Sequence, residues 1–139
     1  MRNLAAFLLV VITMLCPSVR AEDTDAVFKA KTAAQLWLES ADAGLYDRTW
    51  EQAAVPFQKA VTKAQWEHAL AAVRAPIGNL KNRTVISATF AENLPGAPKG
   101  KYVVIQYSSE YTERAEVIET VTPMLESDGA WRVSGYFVK

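Results

Sequence analysis

Cysteine and histidine are nearly absent: the 139 residues include one of each, Cys16 and His68. One histidine excludes a multi-histidine metal site, and a histidine-dependent triad would rest on His68 alone. One cysteine excludes a disulfide scaffold and a cysteine-rich zinc module. Glycine and proline, six each, are too few for a collagen or a low-complexity chain. Neither sign of charge dominates, with 15 Lys and Arg against 15 Asp and Glu, so no strong field favours nucleic acid. No apolar run reaches the ~20 residues of a spanning helix. A phosphate loop, a nucleophile elbow and a paired Cys-x-x-Cys are also missing. Asp23, Asp25, Asp42 and Asp47 lack the spacing of a metal loop. No metal and no cofactor are therefore expected.

What is present is an ordinary globular composition, half hydrophobic and 22% charged, on a length suited to one domain. Residues 1–21 read as a secretory signal. Arg2 supplies a positive start, Leu4 to Cys16 is apolar apart from Thr13, and Val19-Arg20-Ala21 places small residues three and one before a cut. Cleavage after Ala21 is expected, giving a periplasmic or secreted protein. A retained anchor and a lipid on Cys16 are the alternatives, the latter opposed by Leu15, where such sites take a small residue. Cleavage removes Arg2, Arg20 and the cysteine. It leaves thirteen basic against fifteen acidic residues, a net charge of −2, and no thiol to mispair in an oxidising compartment.

The single domain, 22–139, divides near residue 80. Before it, apolar residues recur at steps of three and four. Val27, Ala30, Ala34, Trp37, Leu38 and Ala41 form one stripe of a helix that Thr24 or Asp25 opens and Gly44 ends. Asp47 is expected to cap a second helix that Pro56 ends or kinks. Thr62-Lys63-Ala64-Gln65 is a capping box, opening a third helix with Trp66, Leu70 and Val73 on one face, closed by Pro76 and Gly78. After residue 80 the period is two. Strands are expected at Arg83–Phe90, Lys101–Tyr111, Glu116–Glu126 and Trp131–Val138, with Pro123 marking an edge or a bulge. The pattern predicts an α+β domain with three N-terminal helices on one face of a curved four-stranded antiparallel sheet.

Several segments carry a family likeness: Trp37-Leu38 before Ala43-Gly44-Leu45-Tyr46, Val61 to Trp66, and Val73-Arg74-Ala75-Pro76-Ile77-Gly78. Leu94 to Pro98, Tyr102 to Tyr107, Glu119 to Thr122 and the closing Trp131 to Phe137 extend it. Over nearly all of the domain the chain resembles the domain-of-unknown-function family numbered four thousand and nineteen, small exported bacterial proteins. Its element order is also similar to the cystatin-like cone of nuclear transport factor two and ketosteroid isomerase. The first resemblance implies a bacterial envelope location and assigns no catalytic residue. The second implies a pocket between helices and sheet, on a fold that hosts unrelated functions.

His68 falls opposite the apolar face of its helix and reads as exposed. Glu119 lies between Val117 and Val121 in a strand. A two-residue turn at Asp128-Gly129 would set it opposite Val138. A three-residue loop with Gly129 left-handed pairs Leu125 with Trp131 and sets Glu119 opposite Phe137, on the face of Val121 and Val133. The second register is favoured. Glu119 would then be a buried acid: unpaired, a general base or ligand anchor, or paired, a structural carboxylate held by a Tyr, Arg or Lys. Tyr107 or Tyr111 could supply the oxyanion donor of an isomerase. Trp37, Trp50, Trp66 and Trp131 are expected to face inward. Tyr107, Trp131 and Glu119 are the candidate ligand-binding residues, and Glu119 the candidate catalytic one. Two functions follow: a non-catalytic binding or accessory module of the envelope, or a small isomerase or hydrolase using Glu119 as acid and base. The partner expected is a small molecule or an envelope protein, with no nucleic acid and no membrane span after cleavage.

Overall fold

The computed structural model describes residues 20–139. The leader proper and Cys16 lie outside the described residues. Ala21, expected as the last leader residue, is the first residue of helix α1, Ala21–Asp42. Then come α2 Tyr46–Glu51, α3 Val55–Ala60, α4 Lys63–Arg74 and a 3₁₀ turn Ala75–Ile77. Four strands complete the chain: β1 Leu80–Glu92, β2 Lys101–Tyr111, β3 Arg114–Leu125 and β4 Trp131–Val138. They pair antiparallel in the order β1-β2-β3-β4, a meander with the helices on one face. The expected α+β class is the observed one. Among the described residues no helix is long and apolar enough to cross a membrane.

Helix α1 buries Ala26, Ala30, Ala34, Trp37, Leu38 and Ala41. Its small alanines let the helix lie close on β2, β3 and β4, while Trp37 fills the centre of the core. Neither Thr24 nor Asp25 caps it; Arg20 occupies the N-cap without a side-chain bond, and Glu22 and Asp23 complement the positive end of the helix. At the other end the Gly44 and Leu45 amides donate to the Ala41 and Ser40 carbonyls, a Schellman closure. The expected second helix is two. Pro56 neither ends nor kinks α2 but stands in the first turn of α3, where its missing N–H is no loss. The capping box at Thr62 is present in both directions. On α4 the buried positions are Leu70 and Arg74, whereas Val73, expected inward, is 43% exposed.

The inner face of the sheet carries Val103, Ile105 and Tyr107 from β2, Val117, Glu119 and Val121 from β3, and Val133 from β4. The β3–β4 turn is the three-residue loop Ser127-Asp128-Gly129, with Gly129 at φ +84° and Leu125 opposite Trp131. The predicted partner of Glu119 nevertheless differs. A bulge between Thr122 and Pro123 leaves Ser134 as the extra residue, so Glu119 faces Val138 and Tyr136 points inward. Phe137, expected beside Glu119, is 62% exposed. The cause is Pro123, which has no N–H for the ladder. The Ser134 hydroxyl donates instead to the Thr122 carbonyl, at 2.8 Å.

Candidate functional site

Glu119 lies at the centre of β3 with none of its surface exposed. Four elements bring donors to it. From β1, Arg83 Nε donates to Oε1 at 2.8 Å, and from β2 the Ser109 hydroxyl donates to the same oxygen at 2.6 Å. On Oε2, the Tyr136 hydroxyl of β4 donates at 2.5 Å, and Arg74 Nη2, from the last residue of α4, stands at 3.5 Å. A second carboxylate, Asp42, closes α1 over both arginines. Its Oδ1 accepts from Arg74 at 2.7 Å and from Arg83 at 2.9 Å, and its Oδ2 from Arg83 at 2.7 Å. Arg83 Nη2 also donates to the Tyr111 hydroxyl, at 2.9 Å. Arg74 also lies over the rings of Tyr111 and Tyr136, 5.6 and 5.7 Å from their centroids.

Two guanidinium groups and two carboxylates make the cluster neutral, and charge-assisted bonds occupy it almost completely. Arg74 Nε is the exception among the described residues, buried with no partner. Burial pushes the Glu119 carboxyl up, but the bond and charge of Arg83, with Ser109 and Tyr136, hold it below the usual carboxylate range. Asp42 is likewise raised by burial and brought lower by Arg83 and Arg74. Burial lifts the Tyr107 and Tyr111 hydroxyls to about 12 and Tyr136 well above its ordinary value. At neutral pH the carboxylates are therefore charged, the phenols neutral, and the proton inventory is fixed.

The candidate ligand residues do not converge. Tyr107 is the cross-strand neighbour of Glu119 and lies beneath Arg83. It borders a recess of about 370 Å³ shared with Asp42, Arg83, Lys31 and Val85. Trp131 stands six residues along the ladder from Glu119, about 20 Å at strand rise. It lines a separate groove of about 530 Å³ between α1 and the β3–β4 hairpin. Three indole N–H groups are bonded: Trp37 to the Thr49 carbonyl, Trp66 to the Thr49 hydroxyl and Trp50 to the Val61 carbonyl. Trp37 is buried, while Trp50, Trp66 and Trp131 are half-buried. His68 is exposed.

Arg74, Arg83 and Asp42 were not among the candidate site residues read from the sequence, Asp42 entering only as an acid without metal-loop spacing. Arg74 carried a signal: counted from Trp66 it falls about 80° round the helix, on the side of Leu70. An arginine on an apolar stripe implies a buried carboxylate across from it. Arg83 and Asp42 carried none, because tertiary packing alone brings them together.

The chain is thus a small α+β protein, a helix-covered antiparallel meander with a neutral charge cluster at the helix–sheet boundary. Residues 33–136 match the family described as "Protein of unknown function (DUF4019)", and the chain belongs to that family. No curated protein matches the chain.

Proposed function

We propose that the protein is a non-catalytic binding or accessory module of the bacterial cell envelope. The observation that carries the reading is the state of Glu119. A general base needs an available lone pair within reach of a substrate proton. This carboxylate accepts from Arg83, Ser109, Tyr136 and Arg74 and has no exposed surface. The inner-face acid thus serves packing, while the open groove beside Trp131 offers surface without an acid–base pair. The location rests on Arg2, the Leu4 to Cys16 run and Val19-Arg20-Ala21.

The test has two arms. Intact mass of protein from the envelope fraction is expected to give a chain starting at Glu22; a start at Met1, or a lipid on Cys16, overturns the processed form. A panel of enolisable ketones and simple esters is expected to show no turnover. Turnover by the wild type that a folded Glu119→Gln variant loses would replace the module with an isomerase or hydrolase.

A further inference from the structure

We propose that the groove between α1 and the β3–β4 hairpin binds a medium-chain fatty-acid anion, its chain along Phe28, Leu36 and Trp131 and its carboxylate at Lys29. The proposal rests on the binding-module reading and names its ligand class. Phe28 and Leu36 are 71% and 55% exposed, on the same side of α1 two turns apart. A helix packed on a sheet normally turns polar residues to water at such positions. Instead the two side chains form one rim of the groove, over a floor of Trp37 and Val133. The rim spans about 12 Å at 1.5 Å rise per residue, the reach of a medium-length acyl chain. The groove volume, about 530 Å³, suits a small molecule.

Charge sets the headgroup. The lining includes Lys29 and Arg132 and no acidic residue. Arg132 is held by Asp128 and Glu126, each at 2.8 Å. Lys29 has one exposed pair, with Asp25 at 2.8 Å, which solvent weakens. Its ammonium can therefore exchange that partner for a ligand carboxylate. The Trp131 indole N–H, alone among the four, has no protein partner among the described residues and is not sealed from solvent. A peptide fits less well, because it needs backbone partners along its length. β4 is an edge strand, but beside the groove its Val133 carbonyl already accepts from the Ala54 amide, at 2.8 Å. An acyl chain needs no such partners.

The experiment titrates the protein with octanoate, decanoate, dodecanoate and tetradecanoate below their micellar concentrations, by calorimetry and tryptophan fluorescence. Affinity is expected to rise about two- to fourfold per CH₂ until the groove is filled. Leu36→Glu should weaken dodecanoate at least tenfold with its denaturation midpoint unchanged. Ile86→Glu, equally exposed but on β1 away from the groove, should leave binding intact. Lys29→Gln should weaken dodecanoate about threefold and leave dodecanol unaffected. No binding, no dependence on chain length, or equal losses in the Leu36 and Ile86 variants overturns the proposal. So does binding to phospholipid vesicles alone, which assigns the groove to a membrane surface. If fatty acids fail but another ligand or envelope protein is retained by the wild type and lost by Leu36→Glu, the fatty-acid assignment falls and the module stands. Turnover dependent on Glu119 removes the module itself.

Discussion

Glu119 occupies a strand position where its neighbours two residues away on either side, Val117 and Val121, are buried valines. An isolated carboxylate there would take up a proton. The Arg83 guanidinium and the Ser109 and Tyr136 hydroxyls keep it charged instead. Removing one member of a buried ion cluster leaves the others uncompensated. Glu119→Gln keeps the shape but leaves Arg74 and Arg83 with Asp42 alone. It is expected to lower stability by about 3 kcal/mol, measured by urea unfolding at neutral pH; an unchanged or raised midpoint would contradict the cluster's role. The same bonds fix a pH dependence. Glu119 and Asp42 have lowered folded-state values, so the unfolded chain binds more protons as pH falls below the ordinary values of 4.5 and 3.8. Their stabilisation is present above those values and is lost as pH descends through the folded ones. Urea midpoints between neutral pH and pH 3 should fall more steeply for the wild type than for Glu119→Gln. That Glu119 faces inward with Val117 and Val121 was legible from the strand period; the turn was read correctly but gave the wrong cross-strand partner, because the bulge at Pro123 shifts the register. Its partners were not, since each comes from a different element.

At the scale of elements, most of the architecture was written locally. The Thr62 box, the change of period at residue 80 and the Gly129 loop each state one boundary in adjacent residues. Ambiguity lies where a residue has two structural uses. Pro56 can end a helix or begin one, and it begins α3 rather than ending α2. Pro123 was read as an edge or a bulge; β3 is an inner strand, so it marks the bulge. Two glycines separate backbone conformation from packing. Gly129, at φ +84°, has open space where a Cβ would sit. Gly129→Ala is thus expected to carry the left-handed strain alone, about 1 kcal/mol, and Gly129→Asn less. Gly78, at φ +81°, would place a Cβ 2.1 Å from the Thr112 hydroxyl, which accepts from the Asn79 amide across the end of the sheet. Gly78→Ala should therefore lose more than Gly129→Ala, by roughly 1 kcal/mol or more for the disrupted hydrogen bond. Thermal or urea denaturation of the two variants ranks them, and equal losses would mean that Thr112 simply swings aside.

On the scale of the whole molecule, the charge cluster is where the chain's segments are tied to one another. Asp42 ends α1, Arg74 ends α4, Arg83 comes from β1, Glu119 from β3 and Tyr136 from β4. With no cysteine after residue 16, no disulfide can do this work. The cluster lies at one end of α1, and the rim of the groove runs from Phe28 to Leu36, short of that end. If the cluster acts as a unit, its members must be energetically coupled. In a double-mutant cycle, Asp42→Ala and Arg83→Ala should together cost less than the sum of their separate effects, with a coupling of about 1–3 kcal/mol. The second substitution removes a charge that the first has already stranded. The Glu51–Lys63 pair is the control: both side chains are well exposed, and their substitutions should be additive. Raising the salt concentration to 0.5 M sharpens the contrast, because screening acts on exposed charges and little on buried ones. Additive losses at Asp42 and Arg83, or a coupling that vanishes in salt, would mean that the helices are held to the sheet by apolar packing alone.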